Sequence, residues 1–142
     1  MKKPVARCHC PIGPRGTFDE LAVKNNGEAK VMVKTKGDVD IVTAQAAIAA
    51  GGYTGWHSHP GPVLVTVTQG ILTLYTAPDC QRHVYHAGEG FVEKNPIVHL
   101  ARNEGSVEAK FTTTFIIPVA GPRRIDEPQP GYPCLVPIPP VS

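Results

Sequence analysis

The residues best suited to chemistry in this chain are His57 and His59, separated by Ser58, together with His99. Side chains along a strand alternate between its two faces, so His57 and His59 share one face. Val63, Val65 and Val67 fall on that face in strict alternation, and Ser58, Leu64, Thr66 and Thr68 on the other. The valines mark an interior, so the histidines are expected to point inward with them. A buried imidazole without a partner costs roughly 1–3 kcal/mol of lost hydration. Ligation of one divalent transition metal by three neutral imidazoles relieves that cost for all three. The competing reading, core histidines satisfied by one another and by water, suits a lone histidine better than a set of three.

Such a cluster needs a sheet framework to hold it, and the chain reads as all-β. No segment carries apolar residues at helical spacing over a useful length. Ala44–Ala50 comes nearest, but Gly51-Gly52 stop it, and it reads as the end of a strand that begins near Asp38. Strands are expected at Thr17–Lys24, Lys30–Thr35, Val39–Ile48, Val63–Thr68, Ile71–Thr76, His83–His86, Gly90–Glu93, Val98–Arg102 and Val107–Val119. Turn residues punctuate them at Asn25-Asn26-Gly27, Lys36-Gly37-Asp38, Gln69-Gly70, Ala77-Pro78-Asp79, Ala87-Gly88 and Asn103-Glu104-Gly105. Many short strands divided this way argue for a sandwich or barrel.

Composition sets the outer bounds. A length of 142 residues favours one domain, and 42% hydrophobic with 18% charged residues is not the make-up of a disordered polyelectrolyte. The net charge is +2, with Lys2, Lys3, Arg7, Arg15, Arg123 and Arg124 scattered and no basic stripe with interleaved aromatics. Nucleic acid is therefore not an expected partner. No apolar run is long enough to span a membrane as a helix. Lys2-Lys3 is followed by no apolar signal-peptide core, so the chain as written reads as cytoplasmic, or as a mature form whose leader has been removed. There is no G-x-S-x-G elbow and no P-loop, and Gly88-Glu89-Gly90 opens no helix, which argues against a serine or cysteine triad.

Two stretches together resemble the cupin superfamily. Gly51, His57, His59 and Gly70 match the first cupin motif, with Val63 where that motif has glutamate. Gly88, His99 and Asn103 match the second, with Lys94 in place of its proline and Pro96 in place of its glycine. The resemblance implies a double-stranded β-helix, or jelly-roll barrel, and a divalent metal, whether Fe, Cu, Zn, Mn or Ni, held by His57, His59 and His99. Loss of the motif carboxylate leaves two options. The centre is a bare three-histidine triad completed by water, or Glu93 supplies the carboxylate from a neighbouring strand. Glu93 follows Phe91 at strand parity; its other reading is a rim residue or a salt-bridge partner of Arg102. Tyr53 shares parity with His57 and is expected to line the mouth. Glu93 and Tyr53 are thus the candidate catalytic residues, and His57, His59, His99 and Glu93 the candidate metal ligands. Trp56, of opposite parity, reads as packing, and His83, Tyr85 and His86 as rim or surface.

The expected organisation is an N-terminal extension over 1–16, the barrel over 17–120, and a proline-rich tail over 121–142. Eight prolines fall between Pro118 and Pro140. Such a chain favours extended geometry over a sheet ladder, and Ile125, Leu135, Val136 and Ile138 offer anchors along the barrel wall. Cys80 and Cys134 could form a disulfide that pins the tail, since similar cupins carry cysteines at comparable places. Cys8-His9-Cys10 reads as exposed thiols at a terminus in preference to a metal clip. The expected function is a small metal-dependent enzyme with oxygenase-type chemistry on a small organic or carbohydrate substrate. The alternatives are a Lewis-acid lyase or isomerase and a non-catalytic binder. Few charges are expected at the mouth, which disfavours a polyphosphate. A homodimer is expected, with Thr17–Val23 covering an exposed edge strand across a two-fold axis.

Overall fold

The computed structural model describes residues 7–134. Leu135, Val136 and Ile138 lie outside the described residues, as do Lys2 and Lys3. Among the described residues there is no helix, and none is long and apolar enough to cross a membrane. The strands run in chain order: β1 (Arg15–Phe18), β2 (Ala22–Asn26), β3 (Lys30–Lys34), β4 (Val39–Ile48), β5 (His57–Ser58), β6 (Val63–Gln69), β7 (Ile71–Thr76), β8 (Gln81–His86), β9 (Gly90–Glu93), β10 (His99–Arg102), β11 (Ala109–Pro118) and β12 (Ile125–Asp126). One five-stranded sheet has the order β1-β4-β11-β6-β9, and a second the order β12-β5-β10-β7-β8; β2 and β3 form a separate hairpin. All the ladders are antiparallel. The result is the jelly-roll barrel expected from the sequence.

Period-2 alternation builds the core between the two sheets. Val42, Ala44, Ala46 and Ile48 of β4 point inward, as do Val63, Val65 and Val67 of β6 and Phe111, Phe115 and Ile117 of β11. Leu72, Leu74 and Ala101 close the cluster from the other sheet. The β4–β11 register sets Phe111 opposite Ala46 and Thr113 opposite Ala44. Small residues on one strand thus make room for large ones on the next, and an inner space stays open near them.

Two buried polar residues tie the barrel ends. Asn103, fully buried, donates from Nδ2 to the Ile48 and Val107 carbonyls, both at 2.8 Å, and its Oδ1 accepts from the Gly105 N–H. The asparagine of the second motif is therefore a brace between the end of β4 and the loop before β11. At the opposite end Asp40 accepts from Arg15, the Thr17 hydroxyl and the Ala120 N–H. Gly70, the last glycine of the first motif, has φ +73°, and a Cβ there would lie 2.8 Å from the Glu108 carbonyl oxygen.

Three expectations are corrected. The Thr17–Lys24 strand is two strands: β1 pairs with β4 of its own chain, so the cover over that edge is intramolecular. The proline-rich segment does join a ladder, because Ile125 and Asp126 fall between prolines and keep their N–H groups; β12 pairs with β5. The Ile125 side chain is exposed, so its backbone and not its side chain joins the wall. Cys8 and Cys10 are disulfide-bonded to each other, which replaces both the free-thiol and the metal-clip readings. The Cys80–Cys134 disulfide forms, with Cys134 fully buried.

Asn103→Ala strands two buried carbonyls and one N–H, and a loss of about 3 kcal/mol is expected in urea unfolding. The Thr17 hydroxyl, then Arg15 and the Ala120 N–H, lower the Asp40 carboxyl from 3.8 to about 2. Its ionised form therefore stabilises the fold above about pH 4, and that contribution is lost as pH falls towards 2. Thermal midpoints of wild type and Asp40→Asn should differ at neutral pH and converge near pH 2.

Candidate metal centre

The site is assembled from both sheets. β5 and β10 pair so that His99 lies directly opposite His57. His59 follows β5 at the same parity. The ring centroids lie 4.3 Å apart for His57 and His99, 4.9 Å for His57 and His59, and 5.0 Å for His59 and His99. All three rings are buried. Glu93 enters from β9, at the edge of the facing sheet. The β6–β9 register pairs it with Val63, the position where the first motif carries its glutamate. Directly opposed residues on an antiparallel pair share a face at about 5 Å. The carboxylate has thus moved across one rung of the ladder and still reaches the same interior.

Each imidazole is oriented by a backbone carbonyl. His57 Nδ1–H donates to Gly55 O at 2.8 Å, His59 Nδ1–H to Arg123 O at 2.6 Å, and His99 Nδ1–H to Ile97 O at 3.0 Å. A carbonyl only accepts, so the proton sits on Nδ1 of each neutral ring and Nε2 keeps its lone pair. Glu93 Oε2 lies 2.9 Å from His59 Nε2 and 3.0 Å from His99 Nε2. Neither contact is a hydrogen bond, because the oxygen lies off the ring N–H direction and both Nε2 atoms are buried without a hydrogen-bond partner. The four donors of His57, His59, Glu93 and His99 fall within 4.8 Å of one another. Adjacent donors on an ion with bonds of about 2.1 Å stand about 3 Å apart at right angles. Converging lone pairs without mutual hydrogen bonds fit an ion between them better than they fit an ion-pair cluster. The residues present therefore suit a divalent transition metal.

Charge in the site follows from burial and neighbours. Burial pushes the His57 imidazolium well below its ordinary value, and His99 and Arg124 add to the shift. Burial opposes ionisation of Glu93, but His59 and His99 outweigh it and hold the carboxyl far below the usual range. Glu93 is thus an anion and His57 a neutral donor over the ordinary pH range.

The cluster opens on a cavity of about 100 Å³, whose wall includes Leu72, Ala101, Phe111, Phe115, Arg123 and Arg124. The two arginines correct the expectation of a mouth with few charges. Their adjacency after the last long strand was the available signal, but only β12, absent from the sequence reading, turns that segment back across the mouth. Thr54 and Thr113 also line the cavity. Tyr53 does not. It lines a separate cleft with Arg7, Trp56 and Glu127, and the Arg7 guanidinium carbon lies 4.9 Å from its ring centre. Parity counted back from His57 fails because Gly55, at φ +81°, interrupts the extended chain. Trp56 packs with Tyr53, Leu100 and Cys134, and His83 and His86 are exposed. The pairing weighed for Glu93 with Arg102 is taken instead by Glu104, at 3.7 Å from Arg102.

A jelly roll that gathers three imidazoles and a carboxylate between its sheets defines a class of metal-binding barrel. The Cupin domain family model matches residues 44–116, slightly more than half of the chain, and the chain belongs to the cupin family. No match was found among curated proteins. Solved structures share the fold. A recombinant oxalate oxidase in complex with glycolate is similar at TM-score 0.54 and 22% identity, over 61% of this chain and 45% of that one. An oxalate decarboxylase formate complex from Lactobacillus farciminis is similar at TM-score 0.54 and 22% identity, over 61% of this chain and 26% of that one. A protein of Klebsiella pneumoniae with a double-stranded β-helix domain is similar at TM-score 0.50 and 24% identity, over 68% and 83% of the two chains. The chain thus covers less than half the length of the oxalate-handling proteins.

Glu93→Gln keeps the shape and removes the charge, so affinity for an added divalent ion should fall roughly 10–100-fold or more, as measured by calorimetric titration. His57→Ala should abolish binding while the circular dichroism spectrum stays that of a folded barrel.

Proposed function

We propose that this chain is a metal-dependent cupin enzyme that carries out oxidative, oxygenase-type chemistry on a small organic substrate. The observation that carries the reading is the convergence of three Nε2 atoms and Glu93 Oε2 within 4.8 Å, with every Nδ1 already committed to a carbonyl. A divalent transition metal bound there supplies Lewis acidity and, where it is redox-active, electron transfer to dioxygen. The chain's own residues do the rest. The Gly55, Arg123 and Ile97 carbonyls hold the imidazoles in a single tautomer. Glu93 lowers the net charge of the centre. Leu72, Phe111 and Phe115 keep bulk water from the inner wall and offer apolar contact to a substrate. An apolar cavity of ~150 Å³ accepts benzene, so one of about 100 Å³ suits a smaller molecule. The fold shared with an oxalate oxidase and an oxalate decarboxylase supports a small organic acid over a sugar chain.

Protein purified without chelator is expected to carry about one Mn, Fe or Cu per chain by elemental analysis. It should consume dioxygen with a small organic acid, lose that activity on chelation and regain it on reloading. Zinc as the only metal, with no oxygen uptake, would overturn the oxidative reading in favour of a Lewis-acid lyase or isomerase. A homodimer belongs to the same reading, supported by Ile12 and Phe18, exposed on and beside edge strand β1. Light scattering at low protein concentration should give twice the chain mass.

A further inference from the structure

Arg123 and Arg124 stand in the wall of the metal cavity, and both lie beyond the residues that match the family model. Arg123 serves the site twice: its carbonyl orients His59, and its side chain faces the cavity. The guanidinium is fixed from behind, with Nη2 donating to the Cys10 carbonyl and Cζ 5.8 Å from the Phe115 ring centre. Arg124 donates through Nε to Asp126, and its Nη2 rests beside Gly55, the residue whose carbonyl orients His57.

The charges do not balance. Glu93 is the one acid in the cavity wall, and the histidines already engage it. With Asp126 paired to Arg124 outside the wall, a divalent ion and two guanidiniums against two carboxylates still leave a net charge of about +2 in a partly desolvated space. An anion would complete the site. The cavity is too small for a polyphosphate, and its Leu72, Ala101, Phe111 and Phe115 surfaces suit a short carbon chain. A guanidinium fork matches the planar carboxylate.

The geometry points to an anion clamp, in which Arg123 and Arg124 bind a small carboxylate, of about two or three carbons, beside the ion. Ion and carboxylate then bind as a mutually dependent pair. The clamp rests on the metal-centre reading, and it narrows the substrate to an acid taken up as its anion. Without the anion the arginines repel the ion; with it they help to hold the ion in place.

Calorimetric titration of the full chain with Mn(II) tests this, in matched buffers holding acetate, its neutral isostere acetamide, or neither. Acetate should strengthen Mn(II) binding roughly tenfold, within the usual range of site coupling, and acetamide should not. In the R123Q/R124Q double variant the acetate effect should vanish, and Mn(II) should bind several-fold more tightly than wild type in the plain buffer. The R123K/R124K pair should keep part of the acetate effect. If the double variant fails to fold, R124Q alone should weaken the acetate effect. Mn(II) binding that acetate leaves unchanged in wild type would overturn the clamp and leave the metal centre standing. Absence of Mn(II) binding in every buffer would overturn both.

Discussion

Three ring N–H groups donating to three backbone carbonyls govern this site. Each bond fixes a tautomer and aims a lone pair inward, and the Nε2 atoms of His59 and His99 are buried without a protein hydrogen bond. The carbonyls come from Gly55, Ile97 and Arg123, residues of three different segments. Buried lone pairs that converge are relieved by a cation, and the barrel brings the Glu93 carboxylate to the same point as a fourth donor. Segments far from the motifs are therefore part of the site. β12 pairs with β5, Ser58 Oγ donates to Glu127 Oε1, and the Cys80–Cys134 disulfide ties the following stretch to the loop after β7.

Most of the barrel was legible because inward residues alternate cleanly with outward ones, valines and alanines along β4 and β6 and Phe111, Phe115 and Ile117 along β11. His57 and His59 were legible from spacing, since a one-residue gap on a strand decides the face, and His99 from its place in the second cupin motif. Glu93 was reachable through parity with Phe91, but its partner across the ladder was not, because register between β6 and β9 is a tertiary fact. Tyr53 was misplaced for a local reason: a residue with positive φ between it and His57 breaks the count. The arginines were missed because a proline-rich stretch gives no periodic signal, and only the two-residue ladder at β12 shows where it returns. Cys8 and Cys10 lie near a terminus with no periodic signal, so nothing in their surroundings marks the bond between them. His9 in fact bridges to Ala47 and holds that stretch against β4.

The centre and its surroundings divide the labour. Motif residues Gly70 and Asn103 serve the frame, through a tight turn and a buried brace. Motif histidines serve the interior. Residues outside the family match bring cations to the opening. The matched span therefore supplies the donors, and the segment after it supplies what meets them.

The position of Glu93 has a kinetic side. β6 is flanked by neighbours on both sides, whereas β9 is the last strand of its sheet and is held there by β6 and by stacking of Phe91 on Tyr85, with ring centroids 4.1 Å apart. A sheet margin opens locally at lower free energy than its centre. Placing the acidic donor on the border strand rather than the middle one puts one arm of the site on an edge element, with the imidazoles on the other sheet. An ion held there would then leave by fraying of four residues, without melting of the whole domain.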